Sequence, residues 1–317
     1  MDHPGLLDYL TEARGKTMRM FSLEQNFQPH FEHLEIRYEP EIQAVWIQFK
    51  FPGRPCMSRE LLAEIAVAQR SIAQTAERGH EKGDKNRLMF QVLGSTDPDV
   101  FSLGGDLAHF IKLIKAGDRD ALFQYAKACI DVLYPTSTSY GLPFTTISLV
   151  QGETLGGGFE AALSSNVLIA EQGATFGFPE TVFGLFPGMG AFSFLARRIA
   201  PALAKRIITS GKVYKAEELY EMGVVDLLAP NGKGRETVRE YIEHQQSRSL
   251  GFQCLDQVAD QFNPLTYKEL MDVTTLWVDA AMQLTHKNMR LMEYLVKAQD
   301  RRWNSKTVDE PRLAAAH

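Results

Sequence analysis

Three consecutive glycines at residues 156–158 constrain this chain more than any other feature. They follow the apolar run Thr145–Val150 (TTISLV), which has the pattern of a strand buried on both faces. Glycine has no Cβ, so backbone N–H groups in such a loop can approach a ligand closely. Open α/β sheets bind ligands beside the carboxyl ends of their strands. The sequence therefore predicts a ligand site within residues 150–190.

A second glycine loop occurs earlier in the chain. The run Leu88–Leu93 (LMFQVL) again has the pattern of a buried strand, and it leads through a polar segment to Gly104 and Gly105. Apolar positions at helical spacing begin at Leu107. Strand, glycine loop and helix thus occur twice in the same order. This alternation predicts an α/β fold with a largely parallel sheet.

Two glutamates stand close to the second of these loops. Glu160 falls in the first turn of the helix that follows the glycines, where the helix dipole alone would favour a carboxylate. Glu180 lies in an apolar run (FGFPETVF), and burial there would raise its pKa into the range that suits a general acid or base. An exposed loop glutamate is the other interpretation of Glu180.

The backbone of the two loops suggests a further role. Two N–H groups aimed at one point form an oxyanion hole, which stabilises negative charge on a carbonyl oxygen by a few kcal/mol per donor. We predict the N–H groups of Gly105 and Gly157 as these donors. A thioester, whose enolate or tetrahedral adduct carries such charge, is the natural substrate. The alternative is that the glycines only permit tight turns.

Several other kinds of site are not supported. The chain has no GxSxG nucleophile elbow, and the glycines at 156–158 have neither the GxGxxG spacing of a dinucleotide loop nor a GK[ST] phosphate-loop sequence after them. The histidines show no HExxH or HxxxH spacing, so we expect no metal and no cofactor. His109, close to Asp106, is interpreted as a packing or capping residue. The net charge of −5 and pI of about 5.9 argue against nucleic-acid binding.

Cysteine content and hydropathy suggest where the protein works. Cys56, Cys129 and Cys254 are isolated thiols without a CxxC pair, which predicts buried cysteines and a reducing compartment. No apolar run reaches the roughly 18 residues that span a bilayer, and residues 1–16 lack the pattern of a signal peptide. We therefore expect a cytoplasmic protein that does not bind a membrane.

The motifs together resemble the crotonase (enoyl-CoA hydratase/isomerase) superfamily. The matching segments are 103–107 (LGGDL), 150–160 (VQGETLGGGFE), 176–180 (FGFPE), 185–190 (LFPGMG) and 222–226 (MGVVD). The resemblance implies an α/β fold built as a spiral of ββα units, with a C-terminal helical trimerisation region. It also implies an oxyanion hole at Gly105 and Gly157 and acid/base roles for Glu160 and Glu180.

A narrower resemblance is to the synthases that make diffusible signal factors, the cis-2-unsaturated fatty acids used in quorum sensing. It is carried by LGGDLAHFIKLIKAGDR, LVQGETLGGGFEAALS, FPETVFGLFPGMGAFSFLARRI and WVDAAMQL. It implies dehydration of a 3-hydroxyacyl thioester of acyl carrier protein, followed by thioester hydrolysis at the same site. Trp277 and Leu295 would line the acyl pocket, and Gly104 and Met189 complete the predicted substrate-binding set. The roles of acid and base stay unassigned within the pair of glutamates.

The resemblance also organises the chain into segments. We predict an N-terminal extension at 1–33, a crotonase core at 34–230, a C-terminal helical region at 231–303 and a disordered tail at 304–317.

The expected partners are an acyl carrier protein thioester (or acyl-CoA), a regulatory protein and two further copies of the chain. A carrier protein would dock on basic residues of the second half of the chain. They are Arg197, Arg198, Lys205, Arg206, Arg290, Lys297, Arg301 and Arg302. The opposing interpretation of these residues is that they are solvated helix faces.

Two other functions remain open on the sequence alone. One is an enoyl-CoA hydratase or isomerase of fatty-acid metabolism, which the two glutamates permit. The other is a non-catalytic crotonase-fold protein that binds acyl groups or a regulatory partner.

Overall fold

The computed structural model describes residues 31–248, 258 and 261–314. Residues 1–30 of the predicted N-terminal extension and Cys254 therefore lie outside the described residues. Cys56 and Cys129 are buried and unpaired, as predicted.

The described residues form two sheets. Their strands are β1 (Leu34–Glu39), β2 (Ala44–Phe49), β3 (Phe90–Ser95), β4 (Val100–Ser102), β5 (Thr145–Val150), β6 (Glu153–Leu155), β7 (Val167–Glu171), β8 (Thr175–Gly177), β9 (Val213–Lys215) and β10 (Leu227–Ala229). The larger sheet has the order β1-β2-β3-β5-β7-β10 and the smaller one β4-β6-β8-β9. Pairing is parallel except between β1 and β2 and between β8 and β9. The predicted α/β class with largely parallel sheets is confirmed.

Helices join and cover these strands. They are α1 (Arg59–Glu81), α2 (Leu107–Ala116), α3 (Arg119–Ser137), α4 (Gly157–Leu163), α5 (Ala191–Arg198), α6 (Pro201–Thr209), α7 (Ala216–Glu221), α8 (Gly234–Gln246), α9 (Tyr267–Ala281) and α10 (His286–Ala314). Ser58 begins α1 by accepting a hydrogen bond from the N–H of Leu61 at 3.1 Å. Helix α10 continues to Ala314.

The larger sheet is buried on both faces, and this explains the unbroken apolar runs of β3 and β5. On one face, Trp46, Val92 and Leu149 pack in a cluster with Val238 and Ile242 of α8. On the other face lies the main core, which includes Phe159 of α4 and Phe176 of β8. Phe159 also stacks on Phe178 with ring centroids 4.7 Å apart. This core fills the space between the two sheets and fixes α4 against β8.

The smaller sheet is the feature that sequence patterning does not predict. Its strands have three residues each, which is too short to show an alternating pattern. Each of β3, β5 and β7 is followed, after two to four intervening residues, by one of these short strands. A strand of the large sheet, a strand of the small sheet and a helical segment thus recur along the chain, in agreement with the expected spiral of ββα units.

Candidate active site

Three neighbouring parallel strands of the small sheet end at one place. The loop with Gly104 and Gly105 follows β4, Gly156 follows β6 directly, and Glu180 comes three residues after β8. Because β4 pairs with β6 and β6 with β8, all in parallel, their carboxyl ends share an edge of the sheet. Two glycine loops and a carboxylate that are far apart in sequence are brought together in this way.

The two predicted oxyanion donors are close neighbours. A Cβ on Gly157 would lie 3.3 Å from the amide nitrogen of Gly105. Among the described residues, neither amide donates a hydrogen bond to a protein acceptor. Gly157 is the first residue of α4, where N–H groups have no partner inside the helix. Both residues line the same cavity, so two free donors are available to an oxygen atom there.

Glycine is required at two positions beside these donors. Gly104 and Gly156 have φ angles of +101° and +50°, which other residues rarely adopt. A Cβ on Gly156 would also lie 2.3 Å from Oε1 of Glu180. The glycine therefore leaves the space that the Glu180 carboxyl occupies.

Glu160 is almost fully buried at 1% exposure, and two backbone amides hold its carboxyl. Its Oε1 accepts hydrogen bonds from the N–H groups of Met189 at 2.7 Å and Ala191 at 3.0 Å. Ala191 is the first residue of α5, so the carboxyl also caps that helix. The position in the first turn of α4 is as predicted, but the contacts that hold the side chain come from a segment about thirty residues further on.

Glu180 lies in a short 3-10 helix, Pro179–Phe183, which follows the carboxyl end of β8. Its residue surface is partly exposed, whereas its Oε2 is buried and has no hydrogen-bond partner among the described residues. Leaving a carboxyl oxygen in this state costs free energy, which favours protonation or a bound ligand. The carboxyl faces the glycine loop and not the solvent, so the exposed-loop interpretation does not hold.

Both carboxyls have raised pKa values. Burial raises the pKa of Glu160 to about 7, against the opposing effect of the N–H groups of Ala191 and Met189. Burial, and then the nearby charge of Glu160, raise the pKa of Glu180 to about 8. Two carboxyls that interact in this way titrate as a pair. Near neutral pH the pair holds about one proton, so one carboxyl can be protonated while the other is ionised.

Two adjoining cavities surround these groups. The inner cavity has a volume of about 30 Å³ and is lined by both donors, both glutamates, Met189 and Trp277. This volume has room for about two water molecules. The outer cavity has a volume of about 170 Å³ and is lined by Gly104, Glu180 and Leu295 among others. Gly105, Leu107, Glu180 and Phe183 belong to both linings, so one predicted donor and one carboxyl lie where the cavities meet.

The predicted substrate-binding residues divide between the two cavities. Trp277 closes the inner one: its ring packs against the backbone of Gly188, and it meets Phe110 edge-on at 5.1 Å. Met189 also lies there, with its sulfur over Gly157. Gly104 and Leu295 line only the outer cavity. The structure thus places all four at the site but does not bring them into one pocket.

Sequence reasoning missed several lining residues. Tyr125 of α3 and Phe183 line the inner cavity, and Gln299 of α10 lines the outer one. Oε1 of Gln299 is buried without a partner among the described residues. Tyr125 and Gln299 lie on amphipathic helices, where a site-facing position has the same spacing as a core position. No local signal identifies them.

Other predictions concern residues near the site. His109 is not in either lining. Its ring packs on Tyr125, and its backbone N–H donates to the Asp106 carboxylate at 3.1 Å, as expected for packing and capping.

Arg197 and Arg198 are held in ion pairs with Glu269 at 2.8 Å and Asp226 at 2.7 Å. These two arginines are therefore parts of the fold, whereas Arg290, Lys297 and Arg301 are exposed on α10.

Within the described part of the chain, no group of three or more His, Cys, Asp or Glu side chains is arranged to hold a metal ion. None of the described helices combines the length and hydropathy needed to cross a bilayer.

The fold and the site define a protein of the crotonase type. The family model described as enoyl-CoA hydratase/isomerase matches residues 81–304. The chain belongs to this enoyl-CoA hydratase/isomerase family, whose members are enzymes, typically hydratases or isomerases, that act on acyl thioesters.

Solved structures agree with the fold. An enoyl-CoA hydratase from Bacillus halodurans has a TM-score of 0.67 at 19% identity, covering 83% of this chain and 99% of its own. DspI from Pseudomonas aeruginosa has a TM-score of 0.61 at 20% identity, covering 78% and 93%. PksH from Bacillus subtilis, a polyketide-biosynthesis enoyl-CoA hydratase by description, has a TM-score of 0.65 at 19% identity, covering 85% and 98%. At these identities the likeness concerns the fold alone.

Proposed function

We propose that this protein converts a 3-hydroxyacyl thioester of acyl carrier protein into a free cis-2-unsaturated fatty acid, a diffusible quorum-sensing signal. Water is first removed from the acyl chain, and the thioester is then hydrolysed. The observation that carries this proposal is the pairing of two carboxyls of raised pKa with two unpaired backbone N–H groups around one cavity. The motifs of the sequence supply the choice of substrate.

Dehydration uses all four groups. One carboxylate of the Glu160/Glu180 pair removes a proton from the α-carbon, and the N–H groups of Gly105 and Gly157 stabilise the enolate oxygen that forms. The other carboxyl donates its proton to the departing 3-hydroxyl group. The single proton that the pair holds near neutral pH matches this division into one base and one acid.

The hydrolysis step develops negative charge on the same carbonyl oxygen as the dehydration step. A carboxylate of the pair takes a proton from a water molecule, which attacks the thioester carbonyl. The tetrahedral adduct carries its negative oxygen where the enolate oxygen lay, so the same two donors stabilise it. The adduct then expels the carrier thiol, which leaves with a proton. A site that stabilises the enolate oxygen is therefore also suited to stabilise the oxygen of the tetrahedral adduct.

The substrate would extend through both cavities. The reacting carbons occupy the inner cavity and the carrier arm the outer one, which Leu295 and Gly104 line. An inner volume of about 30 Å³ does not hold a medium-length acyl chain, so Trp277 or its neighbour Phe110 would move when such a chain binds. Exposed Arg290, Lys297 and Arg301 on α10 would attract an acidic carrier protein. The functional form would be a cytoplasmic homotrimer, with a regulatory protein as a further partner.

The second candidate is an enoyl-CoA hydratase or isomerase of fatty-acid metabolism. The family match favours it directly. The same two carboxyls and two donors would add water to a 2-enoyl thioester, because hydration is the reverse of the dehydration step.

Product analysis separates the two candidates. The purified protein is incubated with 3-hydroxydodecanoyl carrier protein and, separately, with trans-2-dodecenoyl-CoA, and acids and thioesters are identified by mass spectrometry. Release of a free cis-2-enoic acid supports the proposal. Interconversion of enoyl-CoA and hydroxyacyl-CoA without free acid replaces it with the second candidate, and turnover of neither substrate indicates a binding protein. Glu160→Gln and Glu180→Gln variants identify any background activity.

A further inference from the structure

Tyr125 lines the inner cavity but has no part in the proposed reaction. Its side chain nevertheless makes several specific contacts. Its side chain is buried at 4% exposure and forms part of the wall of the inner cavity. Its hydroxyl donates a hydrogen bond to the carbonyl of Met57 and accepts one from the N–H of Asp106 at 3.3 Å. The ring meets Phe110 edge-on at 5.0 Å. The side chain is thus fixed at both its polar and its apolar end.

These contacts lie on either side of the Gly105 donor. Met57 and Gly105 form an isolated parallel bridge, in which the N–H of Met57 donates to the carbonyl of Gly104 at 2.8 Å. A trans peptide unit is planar, so the carbonyl of Gly104 and the N–H of Gly105 point in opposite directions. Holding the carbonyl against Met57 therefore aims the N–H of Gly105 away from Met57, toward the cavity that Gly105 lines.

The Tyr125 hydroxyl fixes both partners in this bridge. On one side it binds Met57, whose N–H holds the Gly104–Gly105 peptide. On the other side it binds the next peptide N–H, that of Asp106. It lies between Met57 and Asp106 and sets their separation. Loss of the hydroxyl would let the Met57 carbonyl and the Asp106 N–H approach each other, and the intervening Gly105 amide would turn.

We propose that Tyr125 is a positioning residue for the oxyanion hole, acting through Met57 and Asp106 to aim the N–H of Gly105 at the substrate carbonyl oxygen. Its hydroxyl proton is directed to the Met57 carbonyl, so its action on the reaction passes through the backbone. The inference rests on the proposed use of Gly105 as an oxyanion donor.

Tyr125→Phe is the informative substitution because it removes the hydroxyl and keeps the ring against Phe110. A misaimed donor weakens binding of the charged oxygen more than binding of the substrate. We expect kcat to fall about 10- to 100-fold and KM to change by less than about threefold. Tyr134→Phe, on the same helix but outside both cavity linings, is the matched control and should keep both constants. Thermal melting checks that both variants are folded.

A spectroscopic measurement tests the aim of the donor without turnover. An acyl-CoA labelled with ¹³C at the thioester carbonyl is bound to protein with Glu180→Gln, which stops the chemistry, and the carbonyl stretch is recorded by infrared difference spectroscopy. Hydrogen bonds from the oxyanion hole lower this frequency. We expect a clear lowering with Tyr125 present, a smaller one with Tyr125→Phe and an unchanged one with Tyr134→Phe.

The outcomes separate the two proposals. An equal lowering with Tyr125 and with Tyr125→Phe overturns the positioning role and leaves the oxyanion hole in place. No lowering in any protein overturns the oxyanion hole, and the role of Tyr125 with it. A lowering that depends on the hydroxyl supports the inference, even if 3-hydroxyacyl carrier protein proves not to be the substrate.

Discussion

At the scale of the residue, the site depends on two carboxyls that are buried beside each other. Glu160 is held by the N–H groups of Met189 and Ala191, and Glu180 has one oxygen without a partner among the described residues. Burial raises both pKa values, and the charge of Glu160 raises that of Glu180 further. The two carboxyls therefore titrate near physiological pH and not in acid.

This state predicts a narrow, bell-shaped dependence of kcat/KM on pH. Below a pH of about 7 both carboxyls become protonated and no base remains, and above about 8 both become ionised and no acid remains. Steady-state kinetics from about pH 5 to about pH 10 measure the profile. Replacement of exposed Glu221 by Gln should leave the pH dependence of kcat/KM unchanged. A profile that is flat across this range would contradict a coupled pair with these pKa values.

Gly156→Ala tests whether the loop makes room for Glu180. The added Cβ would meet Oε1 of that carboxyl at 2.3 Å, at a φ of +50° that alanine tolerates poorly. We expect kcat to fall about 100-fold and unfolding free energy to fall by about 1 to 3 kcal/mol. Gly117→Ala is the matched control, because Gly117 has a φ of +69° with nothing within 4 Å of a Cβ. The control should show a similar loss of stability in denaturant unfolding and nearly full activity.

At the scale of the element, helix α10 contributes Leu295 and Gln299 to the outer cavity and is tied to the oxyanion loop. Arg54 contacts Asp300 of α10 at 2.8 Å and Asp106, next to Gly105, at 3.7 Å. The Arg54 side chain is only 17% exposed, so solvent screens this tie less than a surface pair. The position of α10 over the cavity is therefore linked to the loop that carries the donor.

Arg54→Met should loosen the helix where it covers the cavity. We expect faster amide hydrogen exchange in the peptides of α10 around Asp300, by about 3- to 10-fold, measured by mass spectrometry. Lys115→Met breaks a second tie to α10, the pair with Glu293 at 2.6 Å, whose Lys115 side chain is 59% exposed. Such a pair is worth less than about 1 kcal/mol, so exchange should hardly change in this control. Equal exchange in the two variants would mean that Arg54 does not hold the helix.

At the scale of the whole molecule, the buried carboxyls make folding sensitive to pH. Their folded-state pKa values lie above the ordinary value of 4.5, so the folded protein binds more protons than the unfolded chain between that pH and about 8. The free energy of unfolding contributed by these groups is therefore fully present below about pH 4.5 and is lost as the pH rises through about 7 to 8.

The double variant Glu160→Gln, Glu180→Gln measures this contribution. Glutamine keeps an oxygen that can accept from Met189 and Ala191, but it carries no charge to bury. Between about pH 5 and about pH 9, the raised pKa values lead us to expect that wild type loses about 6 kcal/mol more unfolding free energy than the variant. Urea unfolding at the two pH values supplies the numbers. If the difference between the proteins were independent of pH, the carboxyls would not be buried as described.

The sequence by itself determined the local features and the chemical groups of this protein. Strand β5 has the predicted bounds, and the two glycine loops and the two glutamates were singled out as candidates from their positions along the chain. These features depend on neighbours along the chain. A continuous apolar run, a capping hydroxyl or a missing Cβ determines the backbone conformation of only the few residues around it.

Only the tertiary structure decided how these groups meet. Strands β4, β6 and β8 are too short to be seen as a pattern, yet their parallel pairing is what places Gly105, Gly157 and Glu180 together. The same holds for Tyr125 and for the two amides that bind Glu160, because their hydrogen-bond partners lie 19 to 68 residues away. Burial and charge coupling exist only after such contacts form, so the raised pKa values of the two carboxyls are a property of the fold.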